Sequence, residues 1–278
     1  MALITLTSDI GVHDFMPGAI KGQLLKENAG FNIIDISHLL SPFNYPQAAY
    51  VCRNTIFNFP EGSFHLVMVN LFDQKPGYLL LVEHNGQYIG CADNGLITMI
   101  LEDKPQKVIA LPLDPGSQKN TLYLVSVFAK AFNSILQGKK PEDLGEVFTE
   151  KIKVQNPLRP LQGADWIEGH IIFIDNFENV VVNIHRDDFE EHRRGRRFSI
   201  VFKREEMIDK LSECYADVPE GEKLAMFNSA GYLEIAINKG NAAGLLGLQG
   251  YSDKQQQNIT LAPSSSRLFY QTVKIYFD

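Results

Sequence analysis

Apolar residues follow two different patterns along this chain, and the change between them restricts the fold more than any other feature. In residues 1–160, short apolar runs alternate with segments of helical spacing, beginning with a strand-like run at 3–7 and a helix-like segment at 17–27. This alternation predicts βαβ units and therefore an α/β domain with a largely parallel sheet. Prolines and a glycine interrupt the pattern near residue 160. Residues 164–278 contain short apolar runs between turns, which predict a smaller antiparallel β domain resembling a barrel.

Spacing and turn signals place the individual elements. The dipeptide Asn85-Gly86 lies between two apolar runs and is a strong signal for a tight hairpin. Pro17 suits the first turn of the first helix, where its missing N–H is not needed. In the first domain, we predict strands at 3–7, 32–36, 64–70, 78–83, 88–92 and 108–112, and helices at 17–27, 46–57 and 122–136. In the second domain, we predict strands at 169–174, 180–184, 197–202, 224–227, 231–237 and 268–277.

Composition argues against several classes of function. The net charge of −7 disfavours a general role in binding nucleic acid, and the basic segment 192–197 is flanked by acidic residues, so we interpret it as a surface turn. No apolar run approaches the roughly 18 residues of a membrane span, and we expect no membrane partner. Cys52, Cys91 and Cys214 are too widely spaced for a disulfide framework or a zinc site. We therefore expect a cytoplasmic protein without a metal.

The segment 174–186 is apolar at both ends and polar in the middle. In an extended conformation, Asp175, Phe177 and Asn179 point to one side, because alternate side chains share a face of a strand. Together they offer a carboxylate, an aromatic ring and an amide, a set that suits a ligand with a cationic end and a purine. The other interpretation is a hairpin with Asn176 in its turn, which requires no ligand.

A second group of polar residues lies near the N-terminus. Asp9 directly follows the first predicted strand, and the carboxyl ends of parallel strands face the crevice where α/β proteins bind ligands. One carboxylate can accept hydrogen bonds from both hydroxyls of a ribose, although Asp9 can equally cap the turn that follows it. Further polar segments follow along the chain, and together these segments lie at 5–11, 35–38, 41–43, 92–96 and 228–238.

In this order and spacing, the segments resemble those of the S-adenosylmethionine hydroxide adenosyltransferases and of their halogenating relatives, fluorinase and chlorinase. The resemblance runs from about Ile4 to about Leu248. It implies a two-domain fold, a homo-oligomer that is a trimer with sites needing two chains, an adenosyl ligand, and no cofactor beyond S-adenosylmethionine (SAM). The family reaction is displacement at C5′ of the ribose, in which neutral methionine leaves from a sulfonium.

The resemblance also implies ligand-binding roles for individual residues. It implies that Asp9 holds the ribose, that Asp14 lies by the methionine part and that Phe43 lines the nucleoside pocket. In the second domain, the implied roles are Asp175 for the α-ammonium group, Phe177 and Asn179 for the adenine, Ser229 for the methionine carboxylate, and Asn238 near the adenine.

Two positions depart from fluorinase within this set of ligand contacts. Ala230 and Ile237 stand where fluorinase has arginines. A guanidinium that binds a carboxylate through two hydrogen bonds is a strong anchor, and this chain lacks it at both positions. The departures leave two alternatives, which are weaker binding of the methionine carboxylate and a ligand that is closer to a nucleoside than to SAM.

The water-activating residues of the family are also replaced. The hydrolases use an aspartate, an arginine and a histidine, whereas this chain has Asn70 at the aspartate position, Tyr123 at the histidine position and no arginine near Gly77. An asparagine cannot serve as a carboxylate base. Asp73, Lys75 and Tyr123 are candidates for a substitute catalytic set with Asn70, and each is equally consistent with a surface or packing role.

Three functions are open at this point. Family resemblance suggests hydrolysis of SAM to adenosine and L-methionine. The changed residues Asn70 and Tyr123 favour a protein that binds adenosine or SAM without catalysis, such as a sensor. An uncharged pocket also suits transfer of the adenosyl group to another small nucleophile, for example a halide.

Overall fold

The computed structural model describes residues 2–203, 206–248 and 271–278, and it divides the chain into two compact units, Met1–Pro157 and Leu158–Asp278. Each unit has its own sheet and its own hydrophobic core. The last strand, predicted at 268–277, is observed from Thr272, and residues 268–270 of that prediction lie outside the described residues.

In the first unit, each predicted strand and helix is present, with bounds that differ by about one or two residues. Helix α3 was not predicted, because its continuous apolar run has no helical periodicity. The strands are β1 (Ala2–Ser8), β2 (Phe31–Ser37), β3 (Phe64–Met68), β4 (Tyr78–His84), β5 (Gln87–Cys91), β6 (Lys107–Pro112) and β7 (Glu146–Val147). The α-helices are α1 (Met16–Glu27), α2 (Tyr45–Asn58), α3 (Leu96–Leu101) and α4 (Thr121–Leu136).

The sheet of the first unit is mixed, so the prediction of a largely parallel sheet is wrong. Its strand order is β2-β1-β3-β5-β4-β6-β7, and the parallel pairs are β2–β1, β1–β3 and β3–β5. The reason is the hairpin at Asn85-Gly86, which makes β4 run antiparallel to β5, and β4 then pairs antiparallel with β6. The hairpin turn itself was predicted correctly. The antiparallel half of the sheet follows from it, because β4 reverses direction after β5 in the sheet order and β6 and β7 pair antiparallel beyond it.

Helices cover both faces of this sheet. Helices α1 and α4 pack on one face around Leu24, Phe64 and Phe128, and helices α2 and α3 pack on the other around Ile56 and Ile97. Strand β3 is buried along its whole length, as expected for a parallel strand with helices on both sides. Most side chains on the faces of the parallel strands are apolar, although Thr5, Thr7 and His65 are buried there.

The second unit is built almost wholly from antiparallel strands. Its strands are β8 (Leu161–Gln162), β9 (Trp166–Ile174), β10 (Val180–His185), β11 (Phe198–Lys203), β12 (Glu206–Ile208), β13 (Lys223–Phe227), β14 (Tyr232–Ile237) and β15 (Thr272–Phe277). Two helices, α5 (Arg186–Arg193) and α6 (Ala242–Leu245), accompany them.

The sheet of the second unit forms a nearly closed barrel. Its order is β12-β11-β15-β9-β10-β14-β13, and every pair in this order is antiparallel. Leu211, which follows β12, forms a bridge with Ala225 of β13, so the two ends of the sheet approach each other. The predicted antiparallel, barrel-like second domain is therefore confirmed.

The basic segment 192–197 is not wholly a turn, because helix α5 extends through Arg193. The helix was missed because only Phe189 is buried in it, which leaves almost no apolar periodicity. After the helix, Arg196 pairs with Asp165 at 2.9 Å and Arg197 pairs with Asp278 at 3.2 Å. Acidic partners therefore neutralise part of this basic surface.

Gly90 of β5 marks the tightest packing between the sheet and α4, and it provides a test of this core. A Cβ at this position would lie 2.6 Å from Cδ1 of Phe128. We expect Gly90→Ala to lower the free energy of unfolding by about 1–3 kcal/mol through overpacking, measured by urea denaturation. Gly22→Ala in α1 is the matched control, because a Cβ there meets no atom within 4 Å. It should be neutral or stabilise by up to about 1 kcal/mol, and equal effects of the two substitutions would contradict this packing.

Candidate functional site

Three neighbouring parallel strands of the first unit end in polar residues at the same edge of the sheet. Asp9 follows β1, Asn70 lies two residues beyond β3, and Asp93 and Asn94 follow β5. Because β1, β3 and β5 are adjacent and parallel, their carboxyl ends lie side by side. This edge is where open α/β sheets bind ligands.

Asp9 and Asn70 are joined directly. The backbone N–H of Asn70 donates to Oδ2 of Asp9 at 2.9 Å, which connects the loop after β3 to the loop after β1. Asn70 adopts a left-handed backbone conformation with φ of 47°, which asparagine tolerates better than most residues. The buried side chain of Asn94 supports this turn by donating to the carbonyl oxygens of Val69 at 2.9 Å and Asn70 at 3.2 Å.

The side chain of Asn70 extends the network to a hydroxyl and a second carboxylate. Its Nδ2 donates to Oη of Tyr45 at 2.8 Å and to Oδ1 of Asp73 at 3.2 Å. Nζ of Lys153 lies 3.1 Å from the other oxygen of Asp73, Oδ2. The cluster therefore combines two carboxylates, an amide, a phenol and an ammonium group around the end of β3.

Lys153 is held in place through its backbone. Its N–H donates to Oδ1 of Asp93 at 2.9 Å, and Oδ2 of Asp93 accepts from Oη of Tyr78 at 2.7 Å. Burial, the hydrogen bond to Asp93 and its charge raise the pKa of Tyr78 to about 12. Tyr78 therefore remains a donor at neutral pH, and both oxygens of Asp93 are used in positioning.

Burial also affects the two groups that flank Asn70. Burial raises the pKa of Asp9, and the hydrogen bond from Asn70 opposes part of that rise. Burial likewise raises the pKa of Tyr45, with Asp73 and Asp9 adding to the rise. Tyr45 is consequently a neutral phenol near two carboxylates, and Asp9 ionises less readily than an exposed aspartate.

The cluster contains two of the four predicted catalytic candidates. Asn70 and Asp73 belong to it, whereas Lys75 and Tyr123 make other contacts. Lys75 lines an open surface cavity of about 510 Å³ together with Phe72. The hydroxyl of Tyr123 accepts from the backbone N–H of Asp114 at 2.8 Å, and that contact gives it a structural role in the loop before α4. The structure therefore brings together only two of the four residues of the predicted catalytic set.

Asp14 and Phe43 lie outside the contacts of the Asp9 cluster. Oδ1 of Asp14 accepts from the N–H of Met16 at 2.8 Å at the start of α1. The Phe43 side chain is 74% exposed, and its backbone has φ of 63°, which is strained for a bulky residue. The exposed Phe43 ring is therefore not part of the hydrophobic core.

A buried serine–histidine pair lies next to Asp9. Oγ of Ser8 is 2.7 Å from Nδ1 of His38, and Nε2 of His38 is 3.3 Å from Oδ1 of Asp35, which also pairs with Lys21. The residue types are those of a hydrolytic triad, but Ser8 is completely buried and cannot meet a substrate. The pair instead joins the ends of β1 and β2.

In the second unit, residues 175–179 form the turn of a hairpin between β9 and β10, with Asn176 in the turn. The hairpin interpretation of this segment is therefore confirmed, and the extended alternative is wrong. Oδ1 of Asp175 accepts from the N–H groups of Phe177 and Asn179, and its Oδ2 accepts from Nδ2 of Asn179. Asn179 is buried, whereas Phe177 is 74% exposed. Asp175 and Asn179 thus form a joined pair beside an open aromatic ring, and the three side chains do not share one strand face.

A buried glutamate that the sequence analysis missed lies near Asp175. Glu234 in β14 accepts from Oη of Tyr215 at 2.6 Å and from the side chain of Asn228. Burial raises the pKa of Glu234, and the charge of Asp175 contributes to the rise. A glutamate inside the apolar run 232–237 was the available sequence signal, because a charged residue there must have partners.

Ser229 and Asn238 occupy the two ends of β14. Ser229 is exposed in the turn 228–231, where Oδ1 of Asn228 accepts from the N–H groups of Ala230 and Tyr232. Asn238 is engaged in the loop structure, since its Nδ2 donates to the carbonyl of Val218 at 2.8 Å. Ser229 is therefore accessible to a ligand, whereas the Asn238 amide already makes a structural hydrogen bond.

The described part of the chain holds neither a group of metal ligands nor a membrane-spanning helix. Within residues 2–203, 206–248 and 271–278, no three His, Cys, Asp or Glu side chains are grouped so that they could hold a metal ion. Over the same residues, no helix has the length and apolar character needed to span a membrane.

Comparison with family models covers most of the chain. The model of the SAM hydroxide adenosyltransferase N-terminal domain matches residues 4–145, and the model of the C-terminal domain of that family matches residues 169–254. The first match alone spans half of the chain and contains the whole Asp9 cluster except Lys153.

Individual relatives share both units. The (R)-S-adenosyl-L-methionine hydrolase of Methanocaldococcus jannaschii is 29% identical over 253 residues, which cover 88% of this chain and 91% of the relative. The fluorinase of Actinopolyspora mzabensis is 22% identical over 275 residues, which cover 87% and 92%. The crystal structure of an uncharacterised conserved protein from Thermotoga maritima matches with a TM-score of 0.75 at 21% identity, over 99% of this chain and 100% of that one. The last likeness shows the fold alone.

The raised pKa of Asp9 predicts a stability change that depends on pH. The folded protein holds the Asp9 proton more tightly than the unfolded chain, so stability falls as pH rises from the ordinary value of 3.8 through the raised pKa. Asp9→Asn keeps an acceptor for the Asn70 N–H and removes the charge. We expect it to raise the melting temperature at pH 7 and to have little effect below about pH 4, measured by calorimetry. The exposed Asp143→Asn is the control, and an Asp9→Asn effect independent of pH would contradict the assignment.

Proposed function

The chain belongs to the SAM hydroxide adenosyltransferase family, and we propose that it binds SAM and hydrolyses it to adenosine and L-methionine by attack of water at C5′ of the ribose. The resemblance inferred from the motifs is confirmed by the two family-model matches. Relatives named as hydrolases of (R)-SAM support the choice of substrate, and both sulfonium epimers are candidates.

The observation that carries the proposal is the carboxylate of Asp9 at the end of β1, tied to the turn after β3 by the N–H of Asn70. A carboxylate has about four acceptor positions, and the backbone N–H groups of Asn70 and Asp9 occupy two of them, so Asp9 can still accept from the two ribose hydroxyls. The fixed backbone donor keeps the carboxylate oriented before the ligand arrives, which lowers the ordering cost of binding.

Residues of the second unit suit the remaining parts of the ligand. The exposed ring of Phe177 offers a stacking surface for adenine, and the joined Asp175 and Asn179 present carboxylate and amide groups beside it. Asp175 is the partner that we assign to the α-ammonium group, and Ser229 is the donor to the methionine carboxylate. For Asp14, Phe43 and Asn238, we propose the ligand-binding roles that the family resemblance implies.

The reaction places modest demands on the protein. A sulfonium leaves as a neutral thioether, so the enzyme needs no general acid for the leaving group. It must hold C5′ in line with a water molecule and exclude competing solvent, and positioning of this kind contributes several kcal/mol of barrier reduction. Hydrolysis is therefore compatible with the altered residues Asn70 and Tyr123, at a rate lower than a complete acid–base set would give.

A specific observation favours a second candidate function, that of an adenosyl-ligand binder without catalysis. Asn70 is an amide that already donates to Tyr45 and Asp73, and the Tyr123 hydroxyl is occupied by the backbone of Asp114. The amide of Asn70 cannot remove a proton from water, and the Tyr123 hydroxyl already accepts a structural hydrogen bond. In this alternative, the same Asp9 contacts bind the ligand and no product forms.

Chromatography of adenosine separates the two functions. The purified protein is incubated for hours with (S)-SAM and with (R)-SAM, alongside a heat-inactivated sample. Release of adenosine and methionine in equal amounts supports hydrolysis. Tight adenosine binding by calorimetry without product from either epimer supports the binder.

Asp9 provides the test of ligand placement. We expect Asp9→Ala to weaken adenosine binding at least about tenfold, because a hydrogen bond to a charged group is worth about 1.5–3 kcal/mol. Isothermal titration calorimetry measures the affinity, and the exposed Asp143→Ala should bind as the wild type does. Equal adenosine affinity of Asp9→Ala and wild type would refute the placement.

We also propose that the protein acts in the cytoplasm as a homotrimer in which a complete site draws residues from two chains. The basis is family resemblance, together with the location of the candidate ligand contacts in two separately packed units. Light scattering at micromolar protein should give three times the chain mass. A monomer that binds adenosine with unchanged affinity would rule out a site that depends on assembly.

A further inference from the structure

We propose that Asp73 accepts the proton of the attacking water and that Lys153 positions its carboxylate. The inference rests on the proposed hydrolysis and deepens it by naming the residues at the reacting water. In this step, the water oxygen forms a bond to C5′ as the C5′–S bond breaks. The bonding pair leaves with methionine sulfur, and the water proton passes to Asp73 and then to solvent.

The other nearby carboxylates already have other hydrogen-bonding roles. Asp9 is the ribose ligand in the proposed complex and also accepts from Asn70. Asp93 uses one oxygen for the Lys153 N–H and the other for the Tyr78 hydroxyl. Asp14 accepts from the first turn of α1. Asp73 is the carboxylate of this cluster that combines proximity to Asp9 with access to solvent.

Asp73 retains acceptor capacity for a water molecule. Its Oδ1 accepts from Nδ2 of Asn70 and its Oδ2 from Nζ of Lys153. A carboxylate offers about four acceptor positions, so two of them are left for water. The side chain is 38% exposed, which gives water a path to it, and the neighbouring Tyr45 is a phenol that keeps its proton.

The connection to the ribose site runs through one residue. Asn70 donates its backbone N–H to Asp9 and its side-chain amide to Asp73, so one asparagine is hydrogen-bonded to both carboxylates. C5′ is attached to the ribose ring that Asp9 would hold. A base placed one side chain away from the ribose carboxylate is therefore in a suitable place to act on a water near C5′.

Lys153 differs from an ordinary flexible surface lysine. Its backbone is held by Asp93, and two residues later Gln155 exchanges hydrogen bonds of 2.9 Å with Oγ1 of Thr98 through both its N–H and its carbonyl. These hydrogen bonds fix the backbone position from which the Lys153 side chain extends. The ammonium group then holds Asp73 in one orientation, which a freely moving lysine would not do.

Lys151 offers a matched comparison within the same segment. Lys151 also pairs with a carboxylate, Glu146, at 2.6 Å, but both side chains are about 60% exposed. Exposed pairs of this kind contribute little. If the Lys153–Asp73 pair were also only a surface ion pair, replacing Lys153 and replacing Lys151 would have the same small effect on turnover.

The experiment compares adenosine release and adenosine binding for wild type, Asp73→Asn, Lys153→Met, Lys153→Arg and Lys151→Met. We expect Asp73→Asn to lower kcat about 100-fold, within the range for loss of a general base, with KM and adenosine affinity changed less than about twofold. Lys153→Met should lower kcat about tenfold and Lys153→Arg should recover most of it. Lys151→Met should match wild type, and melting temperatures verify folding.

The outcomes separate this inference from the proposed function. If wild type binds adenosine but releases none from either SAM epimer, the proposed hydrolysis fails and the role of Asp73 fails with it. If wild type turns over and folded Asp73→Asn does so at a similar rate, only the role of Asp73 is overturned. If Asp73→Asn is unfolded, Lys153→Met decides, and turnover equal to that of Lys151→Met rejects the inference.

Discussion

The hydrogen bond from the Asn70 N–H to the Asp9 carboxylate is the contact on which the candidate site depends. It joins the loops after β1 and β3, two strands that the parallel register already places side by side. Asp9 is half-buried, and a partly desolvated carboxylate without a donor would be costly, so this backbone donor offsets part of that cost. The same contact leaves acceptor positions open, so a structural hydrogen bond and a ligand-binding group coexist on one side chain.

Burial of polar groups recurs in the second unit. Glu234 lies inside the β14 run and depends on Tyr215 and Asn228 for hydrogen bonds, and Asp175 adds a second negative charge nearby. Burial raises the pKa of Asp9 in the first unit and of Glu234 in the second. An apolar residue at such a position would avoid the cost of desolvating a carboxyl group. Such groups cost stability, which is characteristic of residues retained for binding or chemistry.

Much of the fold was predictable because its signals are local. Apolar periodicity located most strands of both units, although the short strands β7, β8 and β12 were not predicted. Asn85-Gly86 located the hairpin, yet the antiparallel half of the first sheet follows from which strand pairs with the hairpin, a long-range property. The site was predictable where residues follow strand ends, as with Asp9. Lys153 was not, since it lies 80 residues from Asp73 in the chain. The segment 175–179 allowed two interpretations, and the hairpin is the one observed, because a carboxylate that accepts its own loop N–H groups favours a turn over an extended strand.

The amide at position 70 and the carboxylate at position 73 are physically linked. Asn70 donates to Asp73 and to Tyr45, and its N–H donates to Asp9, so it acts as a donor toward both neighbouring carboxylates. A carboxylate at position 70 would remove the donor to Asp73 and place a third negative charge between two existing ones. Like charges at such short range disfavour ionisation. With a carboxylate at position 73, an amide at position 70 therefore avoids this repulsion and keeps the donor to Asp73. Under the mechanism that we propose, Asp73 supplies the carboxylate that position 70 lacks.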